Sequence, residues 1–444
     1  MGSTSPSRKA PINLAVGWPS ASLLPPLRLE SAAHSVLSNP QIAAESLNYG
    51  ILEGYLPLRE EIAKWLTAFY TPKDPITYDR IVISGGASQN LACILQTFTD
   101  PIYTRNIWMV APTYFLACRI FDDNGFSGRL RGVPEDAEGI DIDFLAKHIE
   151  ASEQHAISEG NTEPKLKTKY PWRRTYKHII YAVPTFANPS GCLMSLRRRE
   201  QLVRLARKYD ALIVTDDVYD MLKWPSEAGA TTRTKLGKAV LPRIVDIDRY
   251  LDGGPVSEWG NALSNASFSK IVAPGCRTGW TEAQPKIVWG LGNCGSTKSG
   301  SAPSHLLASV IHQLLVKGDL VKHLEEVMLP GYEKRFHGMM QAVRRQLVPL
   351  GVTLPQPNKD VSGGYFIWLT LPTSLDAESI TQKAQEEQNL TILPGPTCNV
   401  AGDEDNKAVN LNRNIRLSFT YEDYKLLEEG VARLAKVIKS SLED

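Results

Sequence analysis

Apolar and polar residues alternate along the chain with two different periods. Short runs rich in β-branched residues predict strands, whereas the stretches between them, such as Arg197–Tyr209, repeat apolar residues three and four positions apart and predict helices. The predicted strands are Ile81–Ser84, Ile107–Val110, His178–Val183, Ala211–Thr215, Ala266–Phe268 and, as a further candidate, Thr278–Glu282. Strands separated by helices indicate an α/β fold, with a mostly parallel central sheet that helices cover on both faces. In such a sheet the functional residues gather at the carboxyl ends of the strands.

The pattern changes after a long helical stretch, Ser304–Leu347. The next predicted elements are strands at Gly363–Leu369, Leu390–Pro394 and Ile415–Phe419 and a terminal amphipathic helix at Tyr424–Leu442. This order predicts a second, smaller α+β domain. We therefore expect three parts: an N-terminal arm with part of the small domain (1–45), a large domain (46–325) and a small C-terminal domain (326–444).

Three segments depart from these patterns. Glu150–Thr175 is polar and charge-rich, and Pro225–Gly260 mixes Gly, Pro and Thr with charges, so both predict long surface loops. Pro11–Pro26 is rich in proline and apolar residues, which is typical of an ordered arm rather than of a core element.

Composition narrows the range of functions. Of the 444 residues, 43% are hydrophobic and 22% are charged, as in a soluble globular protein with more than one domain. The formal net charge of +1 argues against nucleic acid or an anionic membrane as a partner. No apolar run reaches the roughly 20 residues of a membrane-spanning helix. The six cysteines are scattered without a Cys-x-x-Cys pair, which predicts reduced thiols, a cytoplasmic location and no bound metal.

The segment from Ser267 to Trp280 places a lysine in an unusual setting. Lys270 follows an apolar strand, and a Pro-Gly turn after it brings Arg277 back toward the same place. A lysine is a nucleophile only as the neutral amine, which burial or nearby cations favour. Arg277 and the hydroxyl of Ser267 suit a phosphate. Taken alone, the segment is also compatible with an ordinary surface loop.

Further segments with candidate chemistry follow the other predicted strands. They are Gly85–Gln89, Pro112–Tyr114, Asn188–Gly191 and Thr215–Tyr219. The first opens a helix, whose free amides favour a phosphate, although a Gly-Gly pair is also common in structural turns. The last contains two acids, Asp216 and Asp217, and either one is also compatible with a helix N-cap.

Arg416 lies among apolar residues in the predicted strand Ile415–Phe419. Burying a guanidinium group without a partner is costly, and its planar fork matches a carboxylate. The carboxylate of an amino-acid substrate and a structural salt bridge both satisfy that requirement.

Taken together and in this order, these segments resemble the signature of the fold-type I class I/II aminotransferases, enzymes that depend on pyridoxal 5′-phosphate (PLP). The chain is similar to the kynurenine/2-aminoadipate aminotransferase subgroup and its fungal-type relatives. The resemblance covers nearly the whole chain apart from the first ten residues and the two polar stretches. It implies the fold-type I architecture, with the cofactor bound by the large domain.

The resemblance implies that Lys270 is the catalytic residue, which holds PLP as a Schiff base and moves the substrate proton. The other cofactor-binding residues that it implies are Gly86, Ala87, Ser88, Tyr114, Asn188, Asp216, Tyr219, Ser267, Arg277 and, reaching the cofactor of the partner subunit, Tyr49. Asp216 would keep the pyridine nitrogen protonated, as PLP requires to accept electrons, whereas Asp217 would be structural. A homodimer follows from the role of Tyr49.

The resemblance also implies how the substrate is held. Arg416 and Asn188 would hold its α-carboxylate, and Gly17 and Trp18 would close over it. The implied reaction moves an amino group from an aromatic or 2-aminoadipate-like amino acid to a 2-oxo acid by a ping-pong mechanism.

The chain departs from the family at two cysteines. Cys398 stands where a phenylalanine is usual, and we expect it to enlarge the mouth of the substrate pocket. Cys276 stands where an aliphatic residue is usual, and we expect a packed thiol.

Two other functions remain compatible with the sequence. A PLP-dependent lyase (C–S cleavage or β-elimination) or a condensing enzyme of specialised metabolism would use the same Cα carbanion. A non-catalytic PLP-binding regulator is the second alternative, although such proteins usually carry an attached DNA-binding domain.

Overall fold

Strands and helices alternate along most of the chain in the computed structural model, which describes residues 9–228, 237–355 and 360–443. The strands are β1 (Ile12–Asn13), β2 (Ile81–Ser84), β3 (Ile107–Ala111), β4 (Leu130–Asp136), β5 (Gly139–Ile140), β6 (His178–Ala182), β7 (Ala211–Asp216), β8 (Lys223–Pro225), β9 (Ala262–Ser267), β10 (Gly279–Glu282), β11 (Val361–Gly363), β12 (Phe366–Thr370), β13 (Leu390–Thr391), β14 (Leu393–Pro394) and β15 (Asn414–Ser418). The helices are α1 (Pro26–Leu37), α2 (Pro40–Ser46), α3 (Leu56–Tyr70), α4 (Ala87–Phe98), α5 (Phe115–Phe121), α6 (Ile142–Ser158), α7 (Leu196–Lys208), α8 (Ile244–Tyr250), α9 (Pro285–Gly292), α10 (Gly295–Gly300), α11 (His305–Val316), α12 (Asp319–His323), α13 (Leu329–Gln346), α14 (Ala377–Gln388) and α15 (Tyr424–Glu443).

The central sheet has the strand order β2-β10-β9-β7-β6-β3-β4-β5. Strands β9, β7, β6, β3 and β4 pair in parallel, whereas β10 is antiparallel to both of its neighbours and β5 is antiparallel to β4. The mostly parallel sheet predicted from the sequence is therefore confirmed. Because the parallel strands share one direction, the turns that follow them lie along one edge of the sheet.

Helices cover both faces of the central sheet, so its strands are buried along their length. Every residue of β3, β6 and β7 is buried. Phe98 and Met109 belong to the core on one face, and Leu202 and Ile213 belong to the core on the other. This burial explains why these strands read as continuous apolar runs rather than as alternating patterns.

A three-stranded antiparallel sheet, β12-β15-β14, forms the core of the C-terminal region. Helices α13 and α15 contact each other. Helix α15 buries Leu427, Val431, Leu434 and Ile438, which recur every three or four residues and form one apolar face. The predicted terminal helix at Tyr424–Leu442 is confirmed.

The N-terminal arm enters the core. Ile12 and Leu14 are fully buried, and β1 pairs in parallel with β13. A Cβ atom on Gly430 would lie 2.7 Å from Leu14 Cδ1, so α15 approaches the arm closely at this glycine. The prediction for Pro11–Pro26 was right about order and wrong in placing the segment outside the core.

The prediction of a loop over Glu150–Thr175 was wrong for its first part. Helix α6 continues to residue 158 because Leu145, Ile149 and Ala156 lie on one buried face of the helix. Residues 159–175 contain neither helix nor strand. The charges on the exposed face of α6 had hidden its helical period.

The second predicted loop, Pro225–Gly260, also contains a helix. Helix α8 forms because Ile244, Val245 and Ile247 bury their side chains against the central sheet. Residues 229–236 of this stretch lie outside the described residues.

Strand β9 differs most from its prediction in the central sheet. It begins at Ala262, and the prediction began only at Ala266 because Ser264 and Asn265 are polar although they are buried. A buried polar pair interrupts the apolar run by which a strand is identified. No helix within the described ranges is long and apolar enough to span a membrane.

Candidate active site

A cavity of about 460 Å³ lies between the central sheet and the C-terminal sheet. Its sheet side comprises residues at or after the ends of central strands: Ala87, Ser88, Tyr114, Asn188, Asp216, Tyr219, Ser267, Lys270 and Arg277. Its arm side comprises Ala15, Val16, Gly17, Trp18, Phe366, Leu393 and Arg416. The cavity thus contains all the predicted site residues except Gly86 and Tyr49.

Lys270 lies in the turn after β9 with its amino group in the cavity. Its Nζ donates a hydrogen bond to the carbonyl of Gly17 at 3.0 Å and lies 5.0 Å from the centre of the Tyr365 ring. Burial lowers the pKa of Lys270 to about 8, although Asp216 opposes this shift and Arg416 assists it. The amine is therefore closer to its neutral, nucleophilic form than an exposed lysine is.

Two buried acids at the end of β7 have different surroundings. The hydroxyl of Tyr181 donates to Asp216 Oδ2 at 2.9 Å, while Asp216 Oδ1 has no hydrogen-bond partner in the part of the chain that the structure describes. Burial raises the pKa of Asp216 to about 6. Asp217 instead accepts hydrogen bonds from Thr215 and Ser264, outside the cavity. Neither acid caps a helix, because the next described element is the strand β8.

The start of α4 and Arg277 form one end of the sheet side. Gly86 has φ of 98°, and a Cβ atom there would lie 3.1 Å from Arg277 Nη2. Among the described side chains none caps α4, so the amides of Ala87 and Ser88 are available to an anion. The hydrogen bonds of Arg277 go to backbone carbonyls at 3.1 and 3.2 Å, and it has no carboxylate partner in the described ranges. Ser267 lines the cavity beside them.

Three polar side chains line the middle of the cavity. Asn188 is buried, and its Oδ1 accepts a hydrogen bond from Arg416 Nη1 at 2.8 Å, which connects the two sides. Burial raises the pKa of both Tyr114 and Tyr219, so their hydroxyls stay protonated. The Tyr219 ring lies 5.4 Å from that of Tyr365.

Arg416 forms the polar part of the arm side. Its Nη2 donates to the carbonyl of Ala15 at 2.6 Å, and its guanidinium carbon lies 4.0 Å from the centre of the Phe366 ring. Its buried Nε has no hydrogen-bond partner, and no carboxylate of the described chain forms an ion pair with it. The structure therefore does not contain the salt bridge that the sequence left open, and the guanidinium can receive a carboxylate from a ligand.

The remaining predicted residues lie at the margins of the site. A Cβ atom on Gly17 would lie 2.4 Å from Phe366 Cζ, so this glycine permits the close approach of the arm. The Trp18 side chain is 62% exposed and contacts the Tyr421 ring edge-on. Tyr49 is 82% exposed and lies outside the cavity.

The expectation for Cys398 was wrong. Its side chain is fully buried with Trp368 and Leu411 and does not line the cavity, so it cannot widen the mouth. The wall at this place is formed by Phe115 and Leu393. Cys276 is buried in the core, in agreement with a packed thiol.

The sequence reasoning missed several residues of the site. Tyr181 binds Asp216, Phe366 lies under Arg416, and Tyr365 contacts Lys270. All three belong to apolar runs that read as ordinary core, since strand sequences do not reveal which side chain faces a ligand. The signal that could have identified Tyr181 is its position on β6, the strand beside β7, which ends at the buried acid Asp216.

These groups fit PLP. Arg277, Ser267 and the free amides of α4 would hold the phosphate. The unpaired Oδ1 of Asp216 would accept a hydrogen bond from the pyridine nitrogen, and Lys270 would bond the aldehyde carbon. Asp216 Oδ1 and the start of α4 have no side-chain partner in the described chain, and each of the groups named above is complementary to one part of the cofactor.

Comparisons with known proteins agree with this fit. The family described as aminotransferase class I and II matches residues 11–434. The chain is 32% identical to an uncharacterized protein of Saccharomyces cerevisiae over 97% of each chain. It is 29% identical to aromatic-amino-acid aminotransferase 1 of Thermococcus litoralis, over 97% of this chain and 89% of that protein. LysN, the α-aminoadipate aminotransferase of Thermus thermophilus, solved with N-(5′-phosphopyridoxyl)-L-leucine, aligns with a TM-score of 0.74 at 26% identity and covers 98% of this chain and 93% of that chain.

The fold and the cavity define a PLP-dependent enzyme of fold type I. The predicted fold class and cofactor are thus confirmed. The chain belongs to the aminotransferase class I and II family, and it is a PLP-dependent aminotransferase.

Proposed function

We propose that this aminotransferase takes an aromatic amino acid as its amino donor and a 2-oxo acid as its acceptor, in two half-reactions with ping-pong kinetics. The observation that carries the proposal is the buried guanidinium of Arg416, which lines the same cavity as Lys270 and has an unpaired Nε and no carboxylate partner in the described chain. A substrate carboxylate at Arg416 and Asn188 would bring the substrate's Cα hydrogen toward the amine of Lys270.

The walls of the cavity favour an aromatic donor over a dicarboxylic one. Its described cations are Lys270, Arg277 and Arg416, and each already has a role toward the amino group, the phosphate or the α-carboxylate. A second substrate carboxylate would therefore meet no further cation among the described residues that line the cavity, and burying it unpaired is costly. The cavity also has apolar walls, which include Val16, Trp18, Phe115, Leu116 and Phe366.

The side chains have separate tasks in this reaction. PLP, when bound, withdraws electrons from the substrate's Cα and so acidifies its hydrogen. Lys270, as a neutral amine, would take the proton from the substrate's Cα and deliver it to C4′ of the cofactor. Asp216 keeps the ring nitrogen protonated, and the hydroxyl of Tyr219 donates to the ring oxygen. Tyr114 holds the plane of the ring.

A substrate panel tests the proposal. The purified enzyme is incubated with phenylalanine, tyrosine, kynurenine and 2-aminoadipate one at a time, and the visible absorbance band of the bound cofactor is followed. We expect the aromatic donors to bleach the band with about tenfold higher efficiency than 2-aminoadipate. Addition of 2-oxoglutarate or pyruvate should then restore it. A clear preference for 2-aminoadipate would contradict the aromatic assignment.

The same experiment separates the reaction types. A lyase would release ammonia and an oxo acid without any acceptor, and a condensing enzyme would form a product larger than either substrate. Loss of the band without ammonia, followed by its recovery with an oxo acid, supports amino-group transfer.

We further propose that the enzyme is a cytoplasmic homodimer with the three-part division at residues 45 and 325. Leu47, Tyr49 and Ile51 are exposed close together in the sequence, which supports burial against a second subunit. All six cysteines are free thiols, which supports a reducing compartment. Sedimentation of the wild type and of Tyr49→Ala tests the dimer, and a monomeric wild type would contradict it.

A further inference from the structure

Three buried polar side chains connect the start of α4 to the central sheet. Asn265 of β9 donates through Nδ2 to the carbonyl of Ala87 at 2.9 Å, and its Oδ1 accepts from Asn90 Nδ2 at 2.8 Å. Asn90 also donates to the hydroxyl of Thr281 on β10. Asn90, Asn265 and Thr281 have exposed fractions of 3%, 1% and 0%. We call these three residues the asparagine bridge.

The asparagine bridge joins two parts of the site. Ala87 is the first residue of α4, at the end that faces the cavity. On the other side, Asn265 is paired with Asp216 in the parallel β7–β9 ladder, and its carbonyl accepts from the amide of Asp217 at 3.1 Å. One residue therefore contacts both the element that would hold the phosphate and the strand that would hold the ring nitrogen.

The asparagine bridge is a buried polar network that attaches the start of α4 to β9 and β10. Burying amides is costly unless every polar atom is paired. None of the buried side-chain atoms of the three residues lacks a partner in the described chain. An apolar residue at position 265 could not hold the carbonyl of Ala87 and would remove the acceptor Oδ1 that Asn90 uses.

We propose that Asn265 is a positioning residue for PLP. Its side chain orients the first turn of α4 so that the amides of Ala87 and Ser88 meet the phosphate. Asn90 and Thr281 hold the side-chain amide of Asn265 in place. The inference concerns the cofactor's phosphate and does not depend on which amino acid the enzyme uses. Asn265 is not one of the residues that would contact the cofactor, so it would act on the cofactor only through α4.

Equilibrium binding to the full-length chain freed of cofactor tests this role. PLP and pyridoxal, which lacks the phosphate, are titrated into wild type and Asn265→Leu, and binding is followed by the visible absorbance band. We expect Asn265→Leu to bind PLP about tenfold more weakly, because a hydrogen bond and its orientation are lost. Its affinity for pyridoxal should change less than twofold, since pyridoxal does not use the amides of α4.

A matched control uses a second buried asparagine near β9. Asn261 donates through Nδ2 to the carbonyls of Ala206 and Ala211, and it does not line the cavity. We expect Asn261→Leu to lower the melting temperature without changing the ratio of PLP to pyridoxal affinity. An equal loss of both ligands in Asn265→Leu, or the same ratio in the two variants, would overturn the proposal.

A second variant covers the case in which Asn265→Leu does not fold. Asn90→Ala leaves Asn265 in place but removes the donor that fixes its amide. It should show the same phosphate-specific loss at about threefold. An unchanged PLP-to-pyridoxal ratio in Asn90→Ala would also overturn the proposal.

Discussion

The two sides of the cavity are built in different ways. The sheet side takes its residues from the ends of strands of one sheet, since Ala87, Asn188, Asp216 and Lys270 lie at or after the ends of β2, β6, β7 and β9. The arm side brings together residues from opposite ends of the chain, since Arg416 donates to the carbonyl of Ala15. The sheet itself holds the residues of one side in place. The positions of the residues on the other side depend on how distant segments pack against each other. The difference predicts that changes on the sheet side affect the cofactor and that changes on the arm side affect the substrate.

Lys270→Ala should have the largest effect. Removing the amine that accepts the proton should lower kcat by about 10⁴-fold, the upper range for a general acid–base group. Single-turnover transamination, with the circular dichroism spectrum as a check of folding, measures this loss. A turnover rate within tenfold of wild type would contradict the assignment of Lys270 as the group that moves the proton.

Asp216→Asn should lower kcat by about 10²- to 10³-fold, because the carboxylate that stabilises the protonated ring nitrogen is lost. The visible band of bound PLP should shift at the same time. Asp217→Asn is the matched control, as this neighbouring acid is buried outside the cavity and bound by Thr215 and Ser264. Equal losses in the two variants would contradict the distinction between these acids.

Arg416→Lys should affect the substrate and spare the cofactor. A lysine cannot reproduce the fork that binds Asn188 and a carboxylate together, so KM for the amino donor should rise about 50-fold. The affinity for PLP should stay within twofold of wild type. A parallel loss of PLP affinity would show that the two sides of the cavity are not independent.

The pH dependence of cofactor attachment should report the surroundings of Lys270. Burial lowers its pKa from 10.5 to about 8. The neutral fraction of the amine therefore rises with pH and approaches its maximum above pH 8. The rate of PLP attachment to the cofactor-free chain should increase about tenfold per pH unit below pH 8 and then level off. A rise that continues to pH 10 would indicate an ordinary exposed lysine.

Tyr181→Phe should have the smallest effect. It removes the hydrogen bond to Asp216, which opposes the rise in the pKa of this acid caused by burial. Activity near neutral pH should fall about threefold, as expected for one hydrogen bond. The decrease should be larger at low pH, because Asp216 then protonates more readily.

Much of the sheet side could be predicted from the sequence because strands, turns and the residues after them are local features. Short runs of apolar residues identified β2, β3, β6 and β7, and the polar residues at or after their ends became the site. The prediction failed where a polar residue is buried. Asn265 is polar and buried in the middle of a strand, so the apolar pattern began β9 too late and gave no role to this residue.

The contacts of the arm side could be identified only from the tertiary structure. The sequence marked Arg416 as an arginine among apolar residues, but only the tertiary structure shows that its Nε is unpaired and that its neighbours are Asn188, Ala15 and Phe366. Likewise, the substitution of phenylalanine by Cys398 suggested a wider pocket, whereas packing buries the thiol away from it. Residue type and local order are properties of the chain, and they identify the cofactor and the lysine that binds it. Which distant side chains meet, and which of their atoms stay unpaired, depends on the packing of segments hundreds of residues apart, and no local pattern records it.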